Sequence, residues 1–255
     1  MRTFLGGVRL EFRLVRATPD TLIPFFTGPL FTIIFLTIVR NGGRHDLQAD
    51  ALMAPVLMTL WWCALFQGGN LVTGDRWQGV LEWIVATPSS LAVVLLGRIA
   101  AIMALGSLGF FEVWAVGRLV FGVSIPFAHP FALVLTLLVT LFAMAGTAVV
   151  FAALFVLTRN SFTFVNSASF PFYVLGGVFV PVAILPGWIQ PLSKAIFMSW
   201  SADLLRASLK SAPIHAEWRR LATVLLLGGL TFLIGRVIVS LVLRRLRHSG
   251  ELATP

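Results

Sequence analysis

The sequence predicts an all-α, polytopic membrane protein with six transmembrane helices, and three observations carry that prediction. Mean hydropathy is +0.94, with 58% hydrophobic and 11% charged residues. Soluble domains run near half apolar and about a quarter charged, so this chain has too little polar surface to cover a water-exposed fold. Several runs approach or exceed the ~20 apolar residues that cross a ~30 Å hydrocarbon layer. These runs are continuous, whereas a transmembrane β-barrel shows short segments of alternating polarity. A helix closes its own backbone hydrogen bonds, which lipid cannot do for it.

The elements follow in order along a single transmembrane domain, residues 1–255. Segment 1–20 carries Arg2, Arg9, Arg13 and Arg16 in one narrow sector of a helical wheel. Leu5, Val8, Phe12 and Val15 fall beside that sector, and Leu10 and Leu14 on a third side. This predicts an amphipathic helix lying in the headgroup layer, basic face toward anionic lipid. No small-residue cleavage pattern follows the first apolar run, so that run reads as an uncleaved span. The spans are expected at about 21–39 and 51–72, within 91–121, within 130–157, and at about 162–183 and 221–243. Net charge is +9, which in a membrane protein reads as basic loops facing the cytoplasm and not as a nucleic-acid surface. Arg clusters at 2–16 and 244–247 place both termini in the cytoplasm. Arg40, Arg44, Lys194, Arg206, Lys210, Arg219 and Arg220 then lie outside, most of them in one long connection, where the rule is weak.

Between the second and third spans lies GDRWQGVLEWIVATP, residues 74–88. Gly74-Asp75 is a helix-start signal and Thr87-Pro88 a stop. On the wheel, Trp77, Val80, Leu81, Ile84 and Val85 form one face, and Asp75, Gln78, Gly79 and Glu82 the opposite one. Arg76 and Trp83 share a border. Such a helix would lie flat beneath the bilayer and turn Asp75, Arg76, Gln78, Gly79, Glu82 and Trp83 toward a cytoplasmic partner, with Trp and Arg as interface anchors. Before the last span, residues 181–210 carry Pro181, Pro186 and Pro191, which forbid one continuous helix. Trp188 and Trp200 suit the outer water–lipid boundary. The segment reads as short broken helices dipping into the outer leaflet.

The chain carries no catalytic signature. There is no GxxxxGK[ST] phosphate loop, no HExxH and no Gly-x-Ser-x-Gly, and His45, His129, His215 and His248 are scattered. The single cysteine, Cys63, allows neither an intramolecular disulfide nor a cysteine zinc site. No metal site and no resident cofactor are expected, and ATP hydrolysis would come from a separate subunit. The second and fifth spans are the most polar, with Trp61, Trp62, Gln67, Gly68, Gly69 and Asn70 in one and Asn166, Ser167, Ser169, Pro171 and Tyr173 in the other. Glu112 and Arg236 are charges within spans, a costly placement that usually faces protein or water.

GDRWQGVLEWIVATPSS and the stretch LGGVFVPVAILPGWIQPLSKAIFMSWSADLLRASL, residues 175–209, together resemble the ABC-2 type transporter permeases. The six-span layout and the interfacial first helix match as well. Gly74-Asp75-Arg76 departs from the family, in which many members carry a more strongly charged Glu-Arg-Glu-like run. The resemblance implies that 74–88 is a coupling helix, that two copies of an ATPase subunit carrying ATP and Mg dock beneath, and that a second permease copy, identical or a sister, completes the pathway. It further implies that the second and fifth spans line that pathway. The candidates there are Trp61, Trp62, Gln67, Asn70, Asn166, Ser169 and Tyr173, with Glu112 as a further substrate contact. Apolar, aromatic spans with few internal charges fit export of a hydrophobic or amphipathic drug, antibiotic or lipid through a bacterial plasma membrane. The alternatives are a polysaccharide or lipid-linked glycan exporter, and a secondary transporter, which would show an internal repeat or mid-span charges in several helices.

Overall fold

The computed structural model describes residues 2–17, 23–44, 47–77, 79, 91–123, 127–157 and 161–249. Within them every regular element is helical, without a strand. Helix α1 is Arg2–Ala17, α2 Ile23–Asn41 and α3 Gln48–Trp62, followed by a π-helical turn at Cys63–Gly68 and α4 at Leu71–Trp77. Next come α5 Leu91–Gly106, α6 Leu108–Leu119, α7 Pro130–Leu157 and α8 Ser161–Leu175. A short 3₁₀ turn at Val182–Ile184 leads to α9 Gln190–Lys194, α10 Phe197–Leu209 and α11 Glu217–Ser249.

Among the described residues five stretches are long and apolar enough to cross a membrane: Ile23–Asn41, Asp50–Asp75, Val93–Leu119, Pro130–Phe155 and Glu217–Val239. The expected fifth span, 162–183, differs. Its helix, α8, has 15 residues, which at ~1.5 Å per residue is about 22 Å. Gly177 takes a left-handed φ of +67° just past its end, a conformation that glycine supplies and that ends a helix. Beyond it, Pro181 and Pro191 bracket the short pieces expected from the proline spacing, with Pro191 in the first turn of α9.

The stretch α3–α4 and the helix α7 form the centre of the bundle. Helix α7 packs against α11, α10, α5, α4 and the π turn. Small residues let it approach closely: a Cβ added to Gly228 of α11 would lie 2.7 Å from the Cβ of Ala143 on α7. Membrane helices associate through such close packing because lipid leaves no hydrophobic gain for bringing them together. Trp61 is fully buried at the other face of α7. Its ring lies 6.4 Å from Phe151 of α7 and 4.7 Å from Phe172 of α8, and its indole N–H donates to Ser169 Oγ at 3.2 Å. One aromatic side chain therefore joins three helices. Outward, α2 exposes Phe26, Leu30, Ile34 and Ile38, and α11 exposes Leu226, Leu230 and Leu233. These are the apolar surfaces that a hydrocarbon environment requires and that water penalises.

Candidate functional site

At one end of the bundle, three charges from three helices meet. Arg98 of α5 donates from Nε to Glu11 Oε2 of α1 at 2.7 Å and from Nη1 to Asp75 Oδ2 of α4 at 2.5 Å. The side chains are 4% (Arg98), 6% (Glu11) and 4% (Asp75) exposed. A planar guanidinium can serve two carboxylates at once because its donors are fixed in a fork. Desolvation pushes the Glu11 carboxyl above the ordinary carboxylate range, against the opposing pull of Arg98.

The backbone is built to bring these groups together. Gly7 of α1 meets the Val94 carbonyl of α5, and Gly97 of α5 meets the Phe4 carbonyl of α1, so closely that a Cβ at either position would collide with backbone. Helix α1 consequently has three faces. Arg9, Arg13 and Arg16 are exposed on one, Leu5 and Phe12 are exposed on the next, and Gly7 and Glu11 are buried on the third. That third face accounts for the imperfect amphipathicity of the sequence. Glu11 and Arg98 were both missed, and for Glu11 a signal was available: it is the only acid among residues 2–17, and it lies opposite the arginines on the wheel.

The expected helix at 74–88 needs correction at its beginning. Residues 74–77 complete α4, the continuation of the second span, and do not begin a new helix. Gly79 follows, exposed, at φ +65°, which no α-helix carries through. Asp75 is turned into the protein toward Arg98. Arg76 belongs to α4, its side chain lying outside the described residues, as do Gln78, Glu82 and Trp83. The geometry is thus fixed on both flanks of the 78–90 link: Asp75 precedes it, Arg98 follows it, and the two are ion-paired.

The π turn in the second span adds one residue to a helical turn, a feature frequent at functional sites. Of the pathway candidates, the structure brings together Trp61, Ser169 and Tyr173, all buried. Tyr173 shares a hydrogen bond with Ser169 and packs against Phe179 at 5.4 Å. Trp62 is half-buried and stacks on Phe66 at 4.8 Å. Gln67 and Asn70 are half-buried on and beside the π turn, with Asn70 donating to the Phe66 carbonyl at 2.8 Å. Asn166 is exposed on α8 beside Ser167, Phe170 and Pro171. Glu112 stands apart on α6, facing α2 near Gly28, with Oε2 buried and without a hydrogen-bond partner among the described residues. Arg236 is exposed on α11 and forms no ion pair with Glu112 among the described residues.

The opposite end of the bundle is tied by Arg206, which donates to the Val178 carbonyl at 2.7 Å, and by Lys210, which meets Asp50 at 2.8 Å. These contacts anchor α10 to the turn after α8 and to the start of α3.

The sequence profile of the ABC-2 type transporter family matches residues 8–209. That is most of the 255-residue chain, and the chain belongs to this family. No curated protein matches it. The protein is therefore a multi-pass membrane protein and the permease subunit of an ABC transporter, from a family that normally pairs with an ATP-binding subunit and is not itself catalytic.

Proposed function

We propose that this chain exports a hydrophobic or amphipathic small molecule, using ATP and Mg bound by two copies of a separate ATPase subunit, and that a second permease copy completes the pathway. The buried ion cluster carries the reading. It clamps both ends of the 78–90 link to α1, so a push on the link would move the second and third spans as one body. The ATPase contact is then built from Arg76, Gln78, Gly79, Glu82 and Trp83, with Asp75 positioning the link from within. The exposed side of α8, with Asn166, Ser167, Phe170 and Pro171, faces the second copy, with the polar groups of the π turn behind it. Both termini lie in the cytoplasm, with the arginines of α1 against the inner leaflet of a bacterial plasma membrane.

Co-expression with the cognate ATPase tests this. The expected outcome is a complex that purifies with the ATPase and hydrolyses ATP, while the isolated chain hydrolyses none. Turnover by the isolated chain, or failure to retain the ATPase, contradicts it.

A further inference from the structure

A cavity of about 380 Å³ opens at the end of the bundle opposite the ion cluster, between α9–α10 and the first turn of α11. Its wall is apolar at Val182 and Ala183 and amphipathic at Trp200, and three charged side chains line it: Lys194, Asp203 and Arg220. Trp200 is held in place by an indole N–H bond to the Lys194 carbonyl at 2.9 Å. Lys194 is exposed and makes no ion pair among the described residues. Asp203 keeps 44% of its side chain exposed, and its nearest ion-pair contact is a long one, 3.9 Å to Arg206. Among the described residues none of the three cavity charges is held in an ion pair closer than 3.9 Å, although Asp203 and Arg220 attract each other.

A second, independent feature lies beside the cavity. Trp188 is 81% exposed just before α9, and Trp218 is 67% exposed two residues before Arg220. Each exposed indole thus stands two residues before a residue that lines the cavity, Gln190 or Arg220. Exposed tryptophans of membrane proteins concentrate at the headgroup layer. Ile184 and Leu192 are exposed alongside, offering apolar surface next to the charges.

We propose that this cavity binds the headgroup of a phospholipid carrying both a phosphate and a primary ammonium, the chemistry of phosphoethanolamine. Lys194 and Arg220 take the phosphate, and Asp203 takes the ammonium. Val182, Ala183 and the Trp200 ring cover the linker, and the acyl chains run past Ile184 and Leu192. The volume lies at the small end of ligand pockets, ~300–1,000 Å³, which suits a headgroup and not a whole lipid. An anionic headgroup without an amine would satisfy the two cations and leave Asp203 facing its negative charge. The site stands whether or not the lipid is also cargo.

The test uses the full-length chain in nanodiscs of phosphatidylethanolamine and phosphatidylglycerol, with retained lipid quantified by mass spectrometry after detergent extraction. The wild type should retain phosphatidylethanolamine several-fold over phosphatidylglycerol. Lys194→Glu, at an exposed position that leaves folding untouched, should reduce retained phospholipid about tenfold, and Arg220→Ala should act in the same direction. Asp203→Asn should keep the phospholipid and lose the preference. Equal retention of both lipids by the wild type overturns the proposal, as does full retention by Lys194→Glu. Soluble phosphoethanolamine that binds as tightly as the lipid would overturn the membrane source.

Discussion

Replacing Arg98 by alanine would leave Glu11 and Asp75, both almost fully buried, without their shared cation. Removing one partner of a buried ion pair costs about 3–5 kcal/mol, mainly because the remaining charge stays desolvated. Here two carboxylates are stranded together, so protonation of at least one is the cheapest relief. The cost falls locally, on the docking of α1 and the end of α4 against α5. A loss of this size is a large part of the ~5–15 kcal/mol that holds a typical domain folded. A comparison variant separates structure from coupling. Glu11→Gln, Asp75→Asn and Arg98→Met together remove every charge while keeping side-chain volume, and apolar or neutral replacement of a whole buried cluster is often close to neutral. The assay is thermal unfolding of the purified chain, run beside ATP-driven transport. Arg98→Ala should lower the melting temperature and transport together. The triple variant should recover stability and not transport, since neutral groups no longer fasten the 78–90 link. If Arg98→Ala melts and transports like the wild type, the cluster is not a clamp and the reasoning fails.

Gly97→Leu should separate α1 from α5 without touching any charge, because its side chain must enter the Phe4 backbone; limited proteolysis should then release the first 17 residues faster than in the wild type. Trp61→Phe should cost about 1 kcal/mol, the worth of one hydrogen bond, and Trp61→Ala about 3–5 kcal/mol by opening a cavity among Phe151, Phe172 and Ser169; denaturant titration distinguishes the two, and equal costs would argue against the three-helix role. The raised Glu11 carboxyl gives a pH signature: its contribution is fully present below its unfolded value near 4.5 and is lost as pH rises through the higher folded value. Wild type should therefore gain stability relative to Glu11→Gln as pH is lowered across that window, read as the difference between their melting temperatures.

The membrane class and most helices were legible because hydropathy alone demands them: 26 residues of span at Pro130–Phe155 cannot be anything else in this composition. The broken segment after α8 was legible from proline chemistry. Less legible was where the second span ends, since a Gly-Asp pair reads as a helix start and only the pairing of Asp75 with Arg98 reveals a helix end. The partner of Asp75 lies 23 residues away in sequence and that of Glu11 lies 87 away, and no local pattern encodes such contacts. The length of α8 was overestimated for a related reason. The run 162–183 carries no charged residue to mark an end, and the turn at Gly177 is a backbone event that hydropathy does not register. Among the pathway candidates, Trp61 and Ser169 were singled out for their polarity. Their hydrogen bond to each other shows that polarity spent on helix association.

In the proposed function, ATP binding on the separate subunit is transmitted through the 78–90 link to move a substrate. The most direct test of this is transport of an amphipathic fluorescent probe in proteoliposomes containing this chain and its ATPase, with wild type beside Glu82→Arg. Probe movement should require ATP and Mg, be indifferent to a proton gradient, and be abolished in Glu82→Arg while the permease remains inserted and folded. Movement driven by a proton gradient without ATP, or full ATP-driven transport by Glu82→Arg, would contradict it.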